Sequence, residues 1–276
     1  MIIGVNAERR ARMSKEEQRQ KDLERIKALR LMDDDFMTIC FNGYIEGAEL
    51  LLRVILERDD LKVTEVRTQE RMDNLSGRGA ILDIYATSTN GDKYDIEIQR
   101  ADKGAGVKRA RYHSSLIDVN MLIKGENFDS LRDNYVIFIT ENDVLGFGDP
   151  IYHVDRMLRE REVQFNDGEH IIYVNGSIRV KDTALGRLMS DFYCKDADEM
   201  YYHELSDRVK YLKETKEGVR NMCEIIDEMK KEAVYDATCE FALKLIKDGS
   251  LSIDKIAEYS GLSIEKVREL AGNKSA

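Results

Sequence analysis

The chain has 276 residues, 42% of them hydrophobic and 35% charged, with one proline and a net charge of −10. That length and apolar content allow a sizeable core. The longest apolar runs, such as YVIFIT, fall far short of the ~20 residues needed to span a bilayer, and MIIGV is too short for a signal-peptide core. Cys40, Cys194, Cys223 and Cys239 show no CxxC spacing and no paired histidines. That argues against a zinc site and for reduced core thiols in a cytoplasmic protein. An overall negative charge opposes general nucleic-acid binding, which draws its affinity from neutralised phosphates, so any basic residues must be clustered to matter.

Taken in chain order, residues 1–13 read as an arm. A capping box at Ser14-Lys-Glu-Glu17 then opens a charged, solvated helix to about Leu31. A second helix is expected over 35–57, interrupted at Asn42-Gly43. Leu51, Leu52, Ile55 and Leu56 form the face that packs on a sheet. A strand over Lys62–Thr68 leads into GRGAILDIYATSTNGDKYDIEIQR, residues 77–100. Ile81, Leu82, Ile84 and Tyr85 on one side of Asn90-Gly91, and Tyr94, Ile96 and Ile98 on the other, predict a hairpin.

Register decides what this hairpin can do. A two-residue Asn90-Gly91 loop turns Asp83 away from Glu97, because a one-residue slip flips every side chain. A three-residue loop, Thr89-Asn90-Gly91 with Gly91 as a left-handed bulge, pairs Ser88 with Asp92. It sets Asp83 opposite Glu97 and Ile81 opposite Gln99. We take the three-residue loop. An acid on one strand facing an acid-x-polar pair on the next is the minimal layout for holding Mg²⁺ beside a phosphate. The alternative is an exposed sheet face with ordinary carboxylates.

The hairpin runs straight into basic sequence. Arg100, Lys103, Lys108, Arg109 and Arg111 against Asp102 leave a local charge of +4. A helix follows from about Val107 to Lys124, stopped by Gly125. It is apolar on more than one side, with Tyr112, Leu116, Val119 and Ile123 on one and Ala110, Ile117 and Met121 on another, which predicts burial against sheet and helices. Tyr112 is read as core and His113 as structural. Lys108 and Arg111 either contact phosphate or pair with acids such as Asp118. The helix is expected to cross over to NYVIFIT as the next strand.

Residues 141–180 hold turns and two further strand-like runs. Helices are expected over 183–193, 197–215 and 217–247. Residues 250–270 resemble a helix–turn–helix with caps at Ser252 and Ser263 and a break at Gly261. Lys255, Lys266, Arg268 and Lys274 in this tail are offset by Asp254, Glu258, Glu265 and Glu269, which favours packing or oligomerisation over groove reading.

An ordered series of segments carries a resemblance: MDDDFM, AELLLRVIL, LDIYAT, YDIEIQ, KRARYHSSLID, YVIFITENDVLG, PIYHVDR and HIIYVNG. The chain resembles the PD-(D/E)xK nuclease-like transposases, also called the Rpn family of recombination-promoting nucleases. The resemblance implies a restriction-endonuclease-like α/β core, with a mixed sheet flanked by helices and a helical C-terminal region. It also implies divalent-metal DNA cleavage, linked to recombination or mobile elements. Asp83 matches the motif's first acid, Glu97 its second, and Gln99 stands where the superfamily has lysine. Members of this family are similar in having E-x-Q. Related folds add an acid from a preceding helix, for which Glu49 is the candidate, or else a surface glutamate, with Glu46 next.

The organisation expected is an arm and charged helix (1–31), a nuclease-like core (32–180), a helical extension (181–249) and the tail (250–276). The function expected is a DNA endonuclease with Asp83, Glu97 and the Ile98 carbonyl binding Mg²⁺ or Mn²⁺, and Gln99 orienting water. Arg100, Lys103, Lys108, Arg109 and Arg111 would bind DNA. The alternative is a catalytically silent DNA-binding or assembly protein. A homodimer is expected through the C-terminal helices, whose Met222, Ile225, Ile226 and Met229 form an apolar stripe.

Overall fold

The computed structural model describes residues 15–74 and 77–272; the expected arm at 1–13 and the first capping residue, Ser14, lie outside them. The chain forms two compact units, residues 1–219 and 220–276.

The first unit opens with α1 (Lys15–Ala28), α2 (Asp34–Phe41) and α3 (Ile45–Leu56). The break between α2 and α3 falls at Asn42-Gly43, with Gly43 at φ +64°, a conformation open to glycine without a Cβ penalty. Leu51, Leu52 and Ile55 are buried on the inner face of α3. The sheet follows: β1 (Val63–Met72), β2 (Ala80–Ser88), β3 (Lys93–Gln99), α4 (Val107–Met121), β4 (Asn134–Thr140), β5 (Ile151–Val154), β6 (Met157–Leu158), β7 (Val163–Gln164) and β8 (Glu169–Asn175). Helices α5 (Ala184–Tyr193) and α6 (His203–Glu214) complete the unit.

Six strands form one mixed sheet in the order β1-β2-β3-β4-β8-β5, and β6 pairs with β7 in a separate hairpin. β1, β2 and β3 run antiparallel in sequence, and α4 carries the chain over so that β4 lies parallel to β3. Tyr94 through Ile98 are all buried, as expected of a central strand covered on both faces.

Helices α2 and α3 lie against β1 and pack with α6, while α4 crosses β4, β8 and β1. The expectation that α4 is enclosed on several sides is corrected. Val119 on α4 and Ile123 just beyond it are 68% and 70% exposed, while the helix packs chiefly on the sheet through β4, β8 and β1. The thiols also differ from expectation: Cys40 is buried, whereas Cys194, Cys223 and Cys239 are partly exposed.

α7 (Lys216–Asp248) begins in the first unit and continues into the second, which adds α8 (Ile253–Ser260) and α9 (Ile264–Gly272). The second unit is closed by Ala242, Ile256, Ala257 and Val267. The expected caps are present. Ser252 Oγ accepts from Lys255 N, Ser263 Oγ accepts from Lys266 N, and Gly261 ends α8 at φ +75°. Among the described residues no helix is long and apolar enough to cross a membrane.

Candidate metal and nucleic-acid site

The β2–β3 turn has the three-residue form. Ser88 N donates to Asp92 O at 3.1 Å, Gly91 N to Ser88 O at 3.0 Å, and Gly91 sits at φ +89°. Thr87 therefore pairs with Lys93, Tyr85 with Asp95 and Ile84 with Ile96. Continuing that register by one residue brings Asp83 opposite Glu97, as the loop chemistry predicts.

The backbone ladder stops there, and the two carboxylates take it over. Asp83 N donates to Glu97 Oε1 at 3.1 Å, and Ile98 N donates to Asp83 Oδ2 at 3.0 Å. Each acid thus satisfies an amide of the other strand, which keeps two buried N–H groups paired while the strands splay. In extended backbone a residue's N–H and C=O point to the same side. The Ile98 carbonyl therefore faces the Asp83 side as well.

Alternation places Asp95 and Gln99 on the same face as Glu97. Asp95 and Glu97 are both 0% exposed, and Asp95 Oδ1 has no hydrogen-bond partner. Gln99 Nε2 donates to Glu97 Oε2 at 3.4 Å. Its amide oxygen lies against Gly104, in the short turn Asp102–Ala105, where an added Cβ would overlap it. From α4, Arg109 Nη2 reaches Glu97 Oε2 at 2.6 Å and His113 Nδ1 reaches Asp95 Oδ2 at 2.8 Å.

Carboxyl groups outnumber the cation among them, and their proton affinities follow. Burial first, then Asp95 and Asp83, push Glu97 well above the usual carboxylate range, against the pull of His113 and Arg109. Burial pushes Asp83 up to about 6; Asp34 adds to this, while the Ile98 amide, Arg109 and His113 oppose it. Burial, then Asp83, also raise Asp95 well above the usual range, against the pull of Glu97 and Arg109. Burial lowers His113. Such a surplus of buried negative charge is relieved either by protons or by a cation.

The donor set fits a hard divalent ion. Asp83, Glu97 and the Ile98 carbonyl offer oxygen only, which suits Mg²⁺. Asp95, Glu97 and His113 form a second buried group, with ligand atoms within 4.8 Å of one another. Arg109 Nε donates to His113 Nε2 at 3.2 Å, so that nitrogen carries the lone pair and the proton sits on Nδ1. While Arg109 holds that place, Nδ1 has no lone pair for an ion.

An open cleft of about 980 Å³ lies beside Arg109 and His113, the α4 residues that bond Glu97 and Asp95. Arg71, Arg78, Lys103, Lys108, Arg109 and Arg111 line it, with no acid among the lining residues. Lys108, Arg109 and Arg111 stand in the first turns of α4, the positive end of the helix dipole, where cations are disfavoured by a few tenths of a kcal/mol to ~1 kcal/mol each. An anionic partner offsets that cost. Among the described residues Lys103, Lys108 and Arg111 have no salt-bridge partner. Asp118 instead accepts from Asn134 Nδ2 at 2.6 Å.

Two expected residues lie elsewhere. Glu49 Oε2 accepts from Val63 N at 3.0 Å and Glu49 Oε1 pairs with Arg53 at 2.7 Å, so it ties α3 to the start of β1, with Glu46 exposed on the first turn of α3. Arg100 pairs with Asp33 at 2.9 Å and Glu141 at 3.4 Å and is not among the residues lining the cleft. Sequence reasoning missed Asp95, Arg71 and Arg78 as site residues. Asp95 was signalled by its place two residues before Glu97, and the Arg109–His113 pair by its i, i+4 spacing on α4.

A family model, PD-(D/E)XK nuclease family transposase, matches residues 49–254. No curated protein and no solved structure matches the chain.

Proposed function

The chain belongs to the PD-(D/E)XK nuclease family of transposases, and from that premise we propose that it is a divalent-metal-dependent DNA endonuclease. The observation that carries this reading is the paired acids, Asp83 and Glu97, at a splayed strand junction beside a cleft lined by six cations. We place its action in the cytoplasm, in recombination or mobile-element biology.

Asp83, Glu97 and the Ile98 carbonyl would hold Mg²⁺ or Mn²⁺, while Glu49 is engaged by Val63 N and Arg53. Bound there, the ion supplies positive charge to the phosphate and acidifies water. The chain's own groups do the rest. Lys103, Lys108 and Arg111 seat the DNA backbone along the cleft, which Arg71 and Arg78 also line. Gln99, with one donor and one acceptor, orients the attacking water against Glu97. Arg109 neutralises charge beside Glu97.

One such site cuts one strand, so a double-strand break asks for two chains. Of the stripe expected to join them, Met222 is already fully buried within the chain, Ile225 and Ile226 are partly exposed, and the Met229 side chain lies outside the described residues. Light scattering of the DNA-bound protein at monomer mass would exclude the dimer.

Plasmid nicking with Mg²⁺ and with EDTA tests the enzyme. Asp83→Asn and Glu97→Gln should each lose at least ~10²-fold in rate while still shifting DNA in a gel. A wild type that binds DNA and never cuts it, across Mg²⁺ and Mn²⁺, would make the chain a silent DNA-binding or assembly protein instead.

A further inference from the structure

We propose that Asp95 and His113 form a positioning pair that locks the Arg109 guanidinium against Glu97, so that Arg109 supplies the fixed positive charge Gln99 does not carry. Its catalytic half rests on the nuclease reading above; its positional half rests on side-chain geometry alone.

Arg109 is held in three directions. Nη2 donates to Glu97 Oε2 at 2.6 Å, Nη1 to Gly104 O at 3.1 Å and Nε to His113 Nε2 at 3.2 Å. Its carbon centre also lies 5.9 Å from the centroid of the Phe138 ring. A planar fork with three separate acceptors keeps neither the rotamers nor the tilt of a surface arginine. The other cleft cations have no such frame. Arg71, for example, pairs among the described residues with Asp73 alone, and both are exposed.

The Nε bond dictates what lies behind it. His113 Nε2 must present a lone pair, so the single ring proton of the neutral imidazole sits on Nδ1 and is donated to Asp95 Oδ2 at 2.8 Å. The proton arrangement is therefore continuous from Asp95 through His113 to Arg109 and Glu97. Asp95 is wholly buried, and His113 is its hydrogen-bond partner among the described side chains. Burying a carboxyl with one oxygen unpartnered is costly, and an apolar pair of similar size would fill the same space more stably. The polar pair makes physical sense as an aiming device for Arg109, in the way outer hydrogen bonds orient groups that touch the reacting atoms.

The test uses the full chain with His113→Leu, His113→Gln and Arg109→Lys, reading single-turnover cleavage at saturating Mg²⁺ separately from DNA affinity. His113→Leu fills the space without the bonds and should slow cleavage by roughly 10–100-fold with affinity unchanged. His113→Gln, whose amide keeps one donor and one acceptor, should recover most of that rate. Arg109→Lys keeps the charge but loses the fork and should stay slow. Side-chain ¹⁵N spectra supply a readout apart from activity: the wild type should show His113 protonated on Nδ1 and a slowly exchanging Arg109 Nε–H, lost in His113→Leu. A folded His113→Leu protein cutting at the wild-type rate, or a wild-type ring protonated on Nε2, overturns the lock. If the wild type cuts nothing while both ¹⁵N signatures are present, the nuclease reading falls, and the catalytic half with it, while the positional half stands.

Discussion

Gln99 sits with its amide nitrogen 3.4 Å from Glu97 Oε2 and its amide oxygen against Gly104. A methyl group at 104 would displace that amide without touching the strand that carries it. Gly104→Ala should therefore slow cleavage as Gln99→Ala does, within the ~10²–10⁴-fold range of positioning groups, with an unchanged circular dichroism spectrum. A fully active Gly104→Ala enzyme would show that the amide's place is immaterial. The neighbouring acids make a second prediction. With Asp83 raised to about 6 and Glu97 raised further, the metal-free folded state keeps protons that the unfolded chain has released. Its stability is full below the ordinary carboxylate range near pH ~4 and falls as pH rises through the folded values. Thermal melts in EDTA should show Tm dropping over that window and Glu97→Gln flattening the drop. Mg²⁺ should stabilise more as pH rises, because it competes with those protons. A Tm that climbs with pH in EDTA would mean these acids are not held in this way.

At the level of elements, the register was legible because it is local. Asn90-Gly91, the alternation of Ile84, Ile96 and Ile98, and glycine's tolerance of positive φ all act within a few residues. Deleting Thr89 should shorten the loop to Asn90-Gly91 while leaving Ser88 opposite Asp92, and so keep Asp83 opposite Glu97. That deletion variant should fold and still nick, and a folded deletion variant that has lost nicking would refute the register argument. Gly91→Ala should keep the register and cost about 1–2 kcal/mol for its left-handed backbone, measured by urea unfolding. What the sequence hid depends on docking between distant elements. Arg109 reads as one more cation in a basic run, and only the seating of α4 across β4 shows that, of the cleft cations on this helix, it is the one that meets Glu97. His113 looks structural until Asp95 is found facing it. Glu49 stood in a segment resembling the family's, yet its i, i+4 spacing to Arg53 marked a local pair.

For the whole molecule, a net charge of −10 coexists with a cleft whose lining includes six cations and, among the described residues, no acid. Acidic surface elsewhere repels a polyanion, so binding should be confined to that cleft and steeply salt-dependent. Lys108→Ala with Arg111→Ala should weaken binding to every sequence tested and reduce the slope of log K against log salt by about 2. An unchanged slope would move the DNA path elsewhere. The mutual capping of β2 and β3 has a different bearing, on what the retention of a residue testifies to. Asp83 and Glu97 close amides that would otherwise be orphaned at the centre of the six-stranded sheet. A copy of this protein that had lost all activity would still gain from an oxygen acceptor at each position, so acids or their amides there testify to the sheet. Gln99 and Arg109 close no strand amide. They are the residues whose loss a fold would survive, and so the ones that tell a working copy from a silent one.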